Sequence, residues 1–341
     1  MIHSFGHQPH YLCQNKSSFT LTSHPILSTD RIYIVTPLFN DWDALNLLLE
    51  RIRSVCPADL VNKLAFLVID DCSTISQGVL PNIGCSLSIM RLLRNVGHQK
   101  AIALGLSYLA SLPNHYLTIV MDSDGEDRPE DLVKLLQAGY KNPNVIVFAH
   151  RAKRQESFTF RFFYSIYKIV FRLLTGKVIT FGNFSLIPAS QLRKLTHVSE
   201  IWNNYPGGVI RSRLPYTSIP LERGYRLAGE SRMNFVSLVL HGLSAISVLI
   251  DTTAVRLTLF CIAMIAVSLG SISVIVGIRL FTDILVPEWA AYSVSLFFIV
   301  ILQAFLISLL LVFIVLSYRT QPQVIPARTF EDFTDYVESI Y

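Results

Sequence analysis

Two segments, Leu257–Ile278 and Ala290–Leu316, contain no charged residue. Each exceeds the roughly 20 residues a helix needs to cross a bilayer, and buried core helices of this length without a single charge are rare. The chain is therefore expected to end in a two-helix transmembrane hairpin. The connecting loop Arg279–Trp289 sets Asp283 and Glu288 against one arginine, whereas Arg232 and Arg256 precede the first segment and Arg319 and Arg328 follow the second. The excess of cations outside the loop predicts that the large N-terminal region and the C-terminal end both face the cytoplasm. This makes an integral membrane protein, of the plasma membrane or, in a bacterium, the inner membrane. The overall composition agrees: half of the 341 residues are hydrophobic, 16% are charged, and the apolar excess sits in the C-terminal third.

The net charge of +5 suits an anionic membrane surface or a phosphorylated substrate better than nucleic acid. Cys13, Cys56, Cys72, Cys85 and Cys261 have no metal-type spacing, and one lies in an apolar segment. They read as reduced thiols.

Residues 1–30 lack periodicity and have no apolar core behind a basic start, so a flexible tail is expected there, neither signal nor targeting element. From Arg31 strands alternate with helices. Strands are expected at Ile32–Val35, Leu64–Ile69, Leu87–Leu93, Tyr116–Met121 and Val145–Ala149, with helices at Asp41–Arg53, at His98–Leu112 and from near Pro129. This alternation implies an α/β fold with a mostly parallel sheet. The polar clusters fall just after strands, so one edge of the sheet gathers them. Beyond Arg151 the pattern changes. In Phe158–Leu173 the polar residues Arg161, Ser165, Lys168 and Arg172 form one helical stripe, and Asn234–Ile250 is amphipathic as well. A basic face on a core helix and a helix at the membrane interface both fit the first of these stretches.

The most chemically suggestive string is Asp122-Ser-Asp-Gly-Glu-Asp127, at the end of the apolar run Tyr116–Met121. Asp122 and Asp124 alternate with Ser123, so two carboxylates can converge on one hard cation. An acidic surface turn is the competing reading, and the string alone does not separate them.

The ordered set VTPLFND (35–41), IDDCST (69–74), RNVGHQKA (94–101), MDSDGEDRPE (121–130), GNFSLI (182–187) and GESRMNF (229–235), followed by the paired apolar segments, resembles glycosyltransferase family 2. Within it, the likeness is to the membrane-anchored polyprenyl-phosphate glycosyltransferases. The resemblance implies a GT-A-like nucleotide-sugar-binding domain over 31–230. An amphipathic interfacial helix over 231–253, two transmembrane helices over 254–317 and a cytoplasmic tail over 318–341 complete the expected organisation. It also implies a nucleotide-sugar donor, a polyprenyl phosphate acceptor, and Mg2+ or Mn2+ as cofactor, and leaves self-association open. By resemblance Pro37, Phe39 and Asp41 contact the nucleotide, Asp71 accepts from its base or ribose, and Asn95 and Gly97 let the backbone pass close to it. Asp71 read on its own residues would equally cap the following turn.

The same resemblance makes Asp122 and Asp124 metal ligands on the leaving diphosphate, with Asp122 also facing the nucleotide. Glu126, where relatives usually have glutamine, becomes a further ligand candidate. Arg151, Arg161, Ser165 and Arg232 fall where the acceptor phosphate is expected, with Arg223 and Arg226 as possible helpers. Asn183 stands where many relatives carry aspartate, which unsettles any sugar assignment by analogy. A phosphate monoester is mostly dianionic at neutral pH, so such an enzyme needs positioning and cations more than a protein base. A processive polysaccharide synthase shares the fold, but its Gln-x-x-Arg-Trp string is missing around Trp42, Trp202 and Trp289. A catalytically silent scaffold is the third alternative.

Overall fold

The computed structural model describes residues 31–113, 117–151, 168–177, 181–229, 242–282, 287 and 289–341. Eight strands form a single sheet: β1 (Ile32–Leu38), β2 (Leu64–Asp70), β3 (Ser86–Leu92), β4 (Leu117–Val120), β5 (Ile146–Arg151), β6 (Phe181–Ile187), β7 (Tyr216–Leu221) and β8 (Thr334–Ser339). Their order is β7-β5-β6-β4-β1-β2-β3-β8. The central strands β4, β1, β2 and β3 are parallel, and β5 is parallel to β7. Strands β6 and β8 run against their neighbours. The expected mostly parallel α/β sheet is thus present, with two antiparallel strands added.

The β2 strand is buried at every position, which is why it reads as an unbroken apolar run. On one face of the sheet, α1 (Trp42–Val55) packs with Leu45, Leu48, Leu49 and Ile52 against Ile34, Phe66 and Ile89. On the other face, α2 (His98–Ser111) covers Val35, Leu67 and Ile69. Gly105 of α2 sits so close to the sheet that a Cβ would lie 2.6 Å from Ile69 Cδ1 and 2.9 Å from Val35 Cγ1. Three further helices complete the layers: α3 (Leu132–Lys141) on the α1 face, and α4 (Ala189–Thr196) and α5 (Tyr205–Ser212) on the α2 face.

Two long helices follow, α6 (Ile250–Phe281) and α7 (Trp289–Thr320), both long and apolar enough to cross a membrane. Only 11% and 6% of their most apolar windows are buried in the protein. A core helix of a soluble protein would be covered; these two pack on each other and leave Phe260, Val267, Phe298 and Phe313 exposed.

Two expectations change. Residues 318–341 are not a tail: after α7 the chain returns to the sheet, places a helical turn at Pro326–Thr329 on α2 and adds β8 to the outer edge of β3. Arg91 of β3 pairs there with Glu338 at 2.8 Å. A polar strand at a sheet edge carries too little apolar alternation to be read from sequence. Of the amphipathic stretch ending at Ile250, the described residues 242–247 are helical, and α6 starts earlier than expected, at Ile250. Ala245, Val248 and Leu249 bury Phe171 of the helical stretch 168–175, so the two amphipathic stretches meet through their apolar sides. Arg256 closes this junction by donating to the carbonyl of Leu173 at 2.9 Å.

Candidate active site

Strands β1 to β5 and β7 all end at one edge of the sheet, and antiparallel β6 begins there. The structure therefore brings Pro37, Phe39, Asp41, Asp71, Asn95, Gly97, Asp122, Asp124, Glu126 and the end of β5 at Arg151 to the same rim. Arg161, Ser165 and Arg232 lie outside the described residues.

The loops after β1 and β2 are stitched together by Asn40, which adopts φ 53°. Its side-chain oxygen accepts from the amides of Thr74 (2.7 Å) and Ile75 (2.9 Å), and its own amide donates to Ser73 Oγ at 2.9 Å. Trp42 Nε1 donates to the Ile75 carbonyl at 3.0 Å. Between them these bonds hold Phe39 at the rim with 39% of its surface open. Asn40 was not singled out from sequence; an Asn one residue before a helix N-cap was the available signal.

Asp71 is buried, and its two oxygens accept from the amides of Val96 (2.7 Å) and Gly97 (2.8 Å). Burial raises its pKa, and those two bonds work against the rise. The turn that follows Asp71 is capped by Asp70, whose Oδ1 accepts from Ser73 N–H at 2.9 Å, so Asp71 organises a distant loop instead. The loop it fixes starts α2 at Gly97, whose φ of 93° favours glycine. Asn95 Nδ2 donates to the Asp71 carbonyl at 3.2 Å.

The loop after β4 is built by its own acids. Asp127 Oδ2 accepts the Asp122 amide at 3.0 Å, and Asp124 Oδ1 accepts the Glu126 amide at 3.0 Å. Residues 222–229 lie across it: Gly224 N–H reaches the Glu126 carbonyl (2.8 Å) and Leu227 N–H the Asp124 carbonyl (2.9 Å). Gly125 turns beneath this segment at φ 82°. Arg226 joins two of the predicted site residues, donating to Asp124 at 3.1 Å and pairing with Asp41. Arg223 pairs with Glu126, so that carboxylate is held by a cation.

Asp124 is half-buried, and desolvation together with the neighbouring Asp122 charge raises its pKa to about 6. A carboxylate pair this costly to ionise is the kind of oxygen donor set that a hard divalent cation would stabilise. Among the described residues no three acidic, imidazole or thiolate side chains form a complete metal cage. Two carboxylates with the remaining positions left to substrate phosphates and water fit Mg2+ or Mn2+ chemistry.

His98, the first residue of α2, stands 3.2 Å from Asp122 Oδ1 and 3.0 Å from Asn183 Nδ2. Desolvation opposes protonation of the ring, but Asp122 first, then Asp124 and Asp127, outweigh it and raise its pKa. Sequence reading missed His98; its place after the Gly97 turn, at the start of a helix pointing into the rim, was the signal.

A mostly parallel sheet that collects an acidic pair, an open aromatic and two helix-starting turns at one rim is the layout of a GT-A-like fold. Residues 33–202 match the family model described as Glycosyl transferase family 2, and the protein is a glycosyltransferase built on that domain. Over 283 residues it is 25% identical to undecaprenyl-phosphate 4-deoxy-4-formamido-L-arabinose transferase of Salmonella choleraesuis, covering 80% of this chain and 82% of that protein. Among solved structures, glucosyl-3-phosphoglycerate synthase from Mycobacterium tuberculosis, in complex with Mn2+, uridine diphosphate and glucosyl-3-phosphoglycerate, is similar with a TM-score of 0.47 and 14% identity. The match covers 73% of this chain and 86% of that one. S. aureus TarS 1-349 is similar with a TM-score of 0.38 and 11% identity, over 80% of this chain and 71% of that one.

Proposed function

We propose that this chain is a membrane-anchored inverting glycosyltransferase that moves a sugar from a nucleotide-sugar donor to a polyprenyl phosphate. One observation carries the acceptor. The family model stops at residue 202, yet the alignment with the undecaprenyl-phosphate transferase covers 80% of the chain. It therefore runs well past Trp202 into the part that holds the two apolar helices. In this reading those helices span the bilayer, with the catalytic domain on the cytoplasmic side and a lipid-linked acceptor within its reach.

The nucleoside is held over β1, β2 and β3 by Pro37, Phe39, Asp41, Asp71, Asn95 and Gly97, and the diphosphate reaches Asp122 and Asp124 over β4. A divalent cation held by these two carboxylates would act as a Lewis acid and charge clamp on the leaving diphosphate. Glu126 is a weaker ligand candidate because Arg223 already holds it. Arg226 must yield its bond to Asp124 when that carboxylate turns to a ligand.

The acceptor needs no protein base. Its phosphate has a second pKa near ~6 and is already mostly dianionic at neutral pH. One of its oxygens forms the new bond to the anomeric carbon while the bond from that carbon to the diphosphate oxygen breaks, which inverts the centre. Arg151, Arg161, Ser165 and Arg232 are assigned to orient and neutralise the attacking phosphate.

The test is turnover of a panel of nucleotide sugars by membranes containing the full chain, with and without added polyprenyl phosphate. Lipid-dependent formation of a single glycosyl phospholipid is expected. An extending polymer, or turnover indifferent to the lipid, would sink the assignment.

A further inference from the structure

We propose that Asn183 is a specificity-determining residue that donates an N–H to an oxygen of the transferred sugar, and that Gln99 is the positioning residue that fixes it as a donor. This rests on the donor reading proposed above. Tyr205 N–H, at the start of α5, donates to Gln99 Oε1 at 2.7 Å. A backbone amide can only donate, so the Gln99 atom facing it must be oxygen. The Gln99 amide nitrogen is then left to face Asn183, whose Oδ1 it meets at 3.2 Å. Asn183 Oδ1 is thereby occupied, and its NH2 group turns toward the rim, 3.0 Å from His98 Nε2. Tyr205 N–H fixes the Gln99 amide, and the Asn183 amide follows it while His98 Nε2 is unprotonated and accepts; a ring protonated at Nε2 toward Asp122 Oδ1, 3.2 Å away, would compete for the Asn183 oxygen.

The β5–β6 side of the rim is where a sugar belongs. Strand order runs β3, β2, β1, β4, β6. Nucleoside residues lie over the first three and the acidic pair over β4. The group attached beyond the diphosphate therefore comes to β6. Val120 pairs with Ser185 across β4 and β6, which sets Asn183 level with Asp122. Ser185 fixes the backbone here, its Oγ bonding the Asn183 carbonyl at 2.8 Å and Tyr205 Oη at 2.6 Å. Asn183 retains partial exposure. With His98 neutral and accepting at Nε2, one N–H points to it and the second faces the rim, where a ligand oxygen can meet it.

The chemistry that follows is definite. An oriented NH2 selects a hydroxyl, carbonyl or carboxylate oxygen at the facing sugar position and disfavours a protonated amine. An aspartate there would do the reverse and would add a second anion beside Asp122.

The experiment is a double-mutant cycle on the full chain in membranes, assayed with whichever UDP- or GDP-linked sugar of the panel the wild type turns over. In Gln99→Glu, one carboxylate oxygen still accepts from Tyr205 N–H, but the other faces Asn183 and turns its amide, putting an oxygen toward the sugar. The donor KM should rise by about tenfold or more, the value of one hydrogen bond replaced by an opposed pair. The lipid-phosphate KM and the Kd of bare UDP or GDP should stay within about twofold, and that Kd also reports that the variant has folded. In an Asn183→Ala background, Gln99→Glu should have no further effect on donor KM. Asn183→Asp should improve the ratio of amino-sugar to hydroxyl-sugar turnover.

An unchanged donor KM in Gln99→Glu, or the same effect with and without Asn183, overturns the inference alone. A chain that turns over no nucleotide sugar overturns the donor reading, and the inference with it.

Discussion

Asp124→Asn should stabilise the metal-free protein while abolishing transfer, and the size of the effect can be worked out. The folded protein raises this carboxyl from 3.8 to about 6 through burial and the adjacent Asp122 charge. A displacement of about two units corresponds to roughly 3 kcal/mol. Because the folded pKa lies above the unfolded one, the favourable contribution is complete below about pH 4 and is lost as pH rises through 6. Asparagine stays neutral throughout. It keeps the bond from the Glu126 amide to Oδ1, now 3.0 Å, but sets an amide against Arg226, a loss of about 1 kcal/mol. The variant should thus gain about 2 kcal/mol at pH 8, which for a domain of this size is a Tm higher by about 4–8 °C. Scanning fluorimetry of the purified chain in EDTA, from pH 4.5 to 8, reads the difference. The gap should close and change sign toward low pH. Added Mn2+ should raise the wild-type Tm and leave the variant nearly unmoved. A variant no more stable than the wild type at pH 8 in EDTA, or one that gains as much from Mn2+, would refute the reasoning.

Four further outcomes are expected. Gly125→Ala drives a Cβ into the Leu227 side chain at a φ of 82°; stability should fall by about 1–3 kcal/mol, and Leu227→Ala should restore only the steric part. Asp71→Asn must turn an NH2 toward the amide of Val96 or Gly97, both now bonded to carboxylate oxygens. It should cost about 1–3 kcal/mol in thermal unfolding and raise the KM for the nucleotide sugar more than that for the lipid. Removing residues from Thr334 onward bares the edge of β3 and should produce self-association on size-exclusion chromatography. Glu338→Ala, which breaks only a half-exposed ion pair, should cost less than about 1 kcal/mol.

The central sheet was legible because β1, β2 and β4 are buried on both faces almost throughout, and such burial writes a mostly apolar run broken only by Thr36 and Thr118 before the polar strand ends. The polar clusters after these strands were legible for the same reason, since each begins where burial stops. The edges were not. In β7 and β8 most positions keep partial or full exposure, so their residues carry no periodic apolar signal. Partnerships were harder still. Nothing local connects Arg226 to Asp41, 185 positions apart, or Gln99 to Tyr205, 106 positions apart. These contacts exist only because the sheet order places distant loops side by side. Glu126 illustrates the limit: its sequence position suggested a ligand, while its electrostatic partner, Arg223, came from the far end of β7.

The same sheet order ties the hairpin to the rim. Asp251, in the first turn of α6, receives Arg211 at 2.6 Å and approaches Arg319 of α7 at 3.7 Å. One carboxylate therefore joins both apolar helices to the C-terminal end of α5. The opposite end of α5 is Tyr205, whose amide sets the Gln99 and Asn183 side chains. Eight helical residues span about 12 Å, and those of α5 are mostly buried, with Tyr205, Val209 and Ile210 in the protein interior. Past α7 the chain is fastened again, by Gln323 to Ser199 at 2.8 Å and by Phe333 against Trp202. The ion pairs at the base of the hairpin and the backbone amide that orients Gln99 toward Asn183 are thus carried by the two ends of one eight-residue helix.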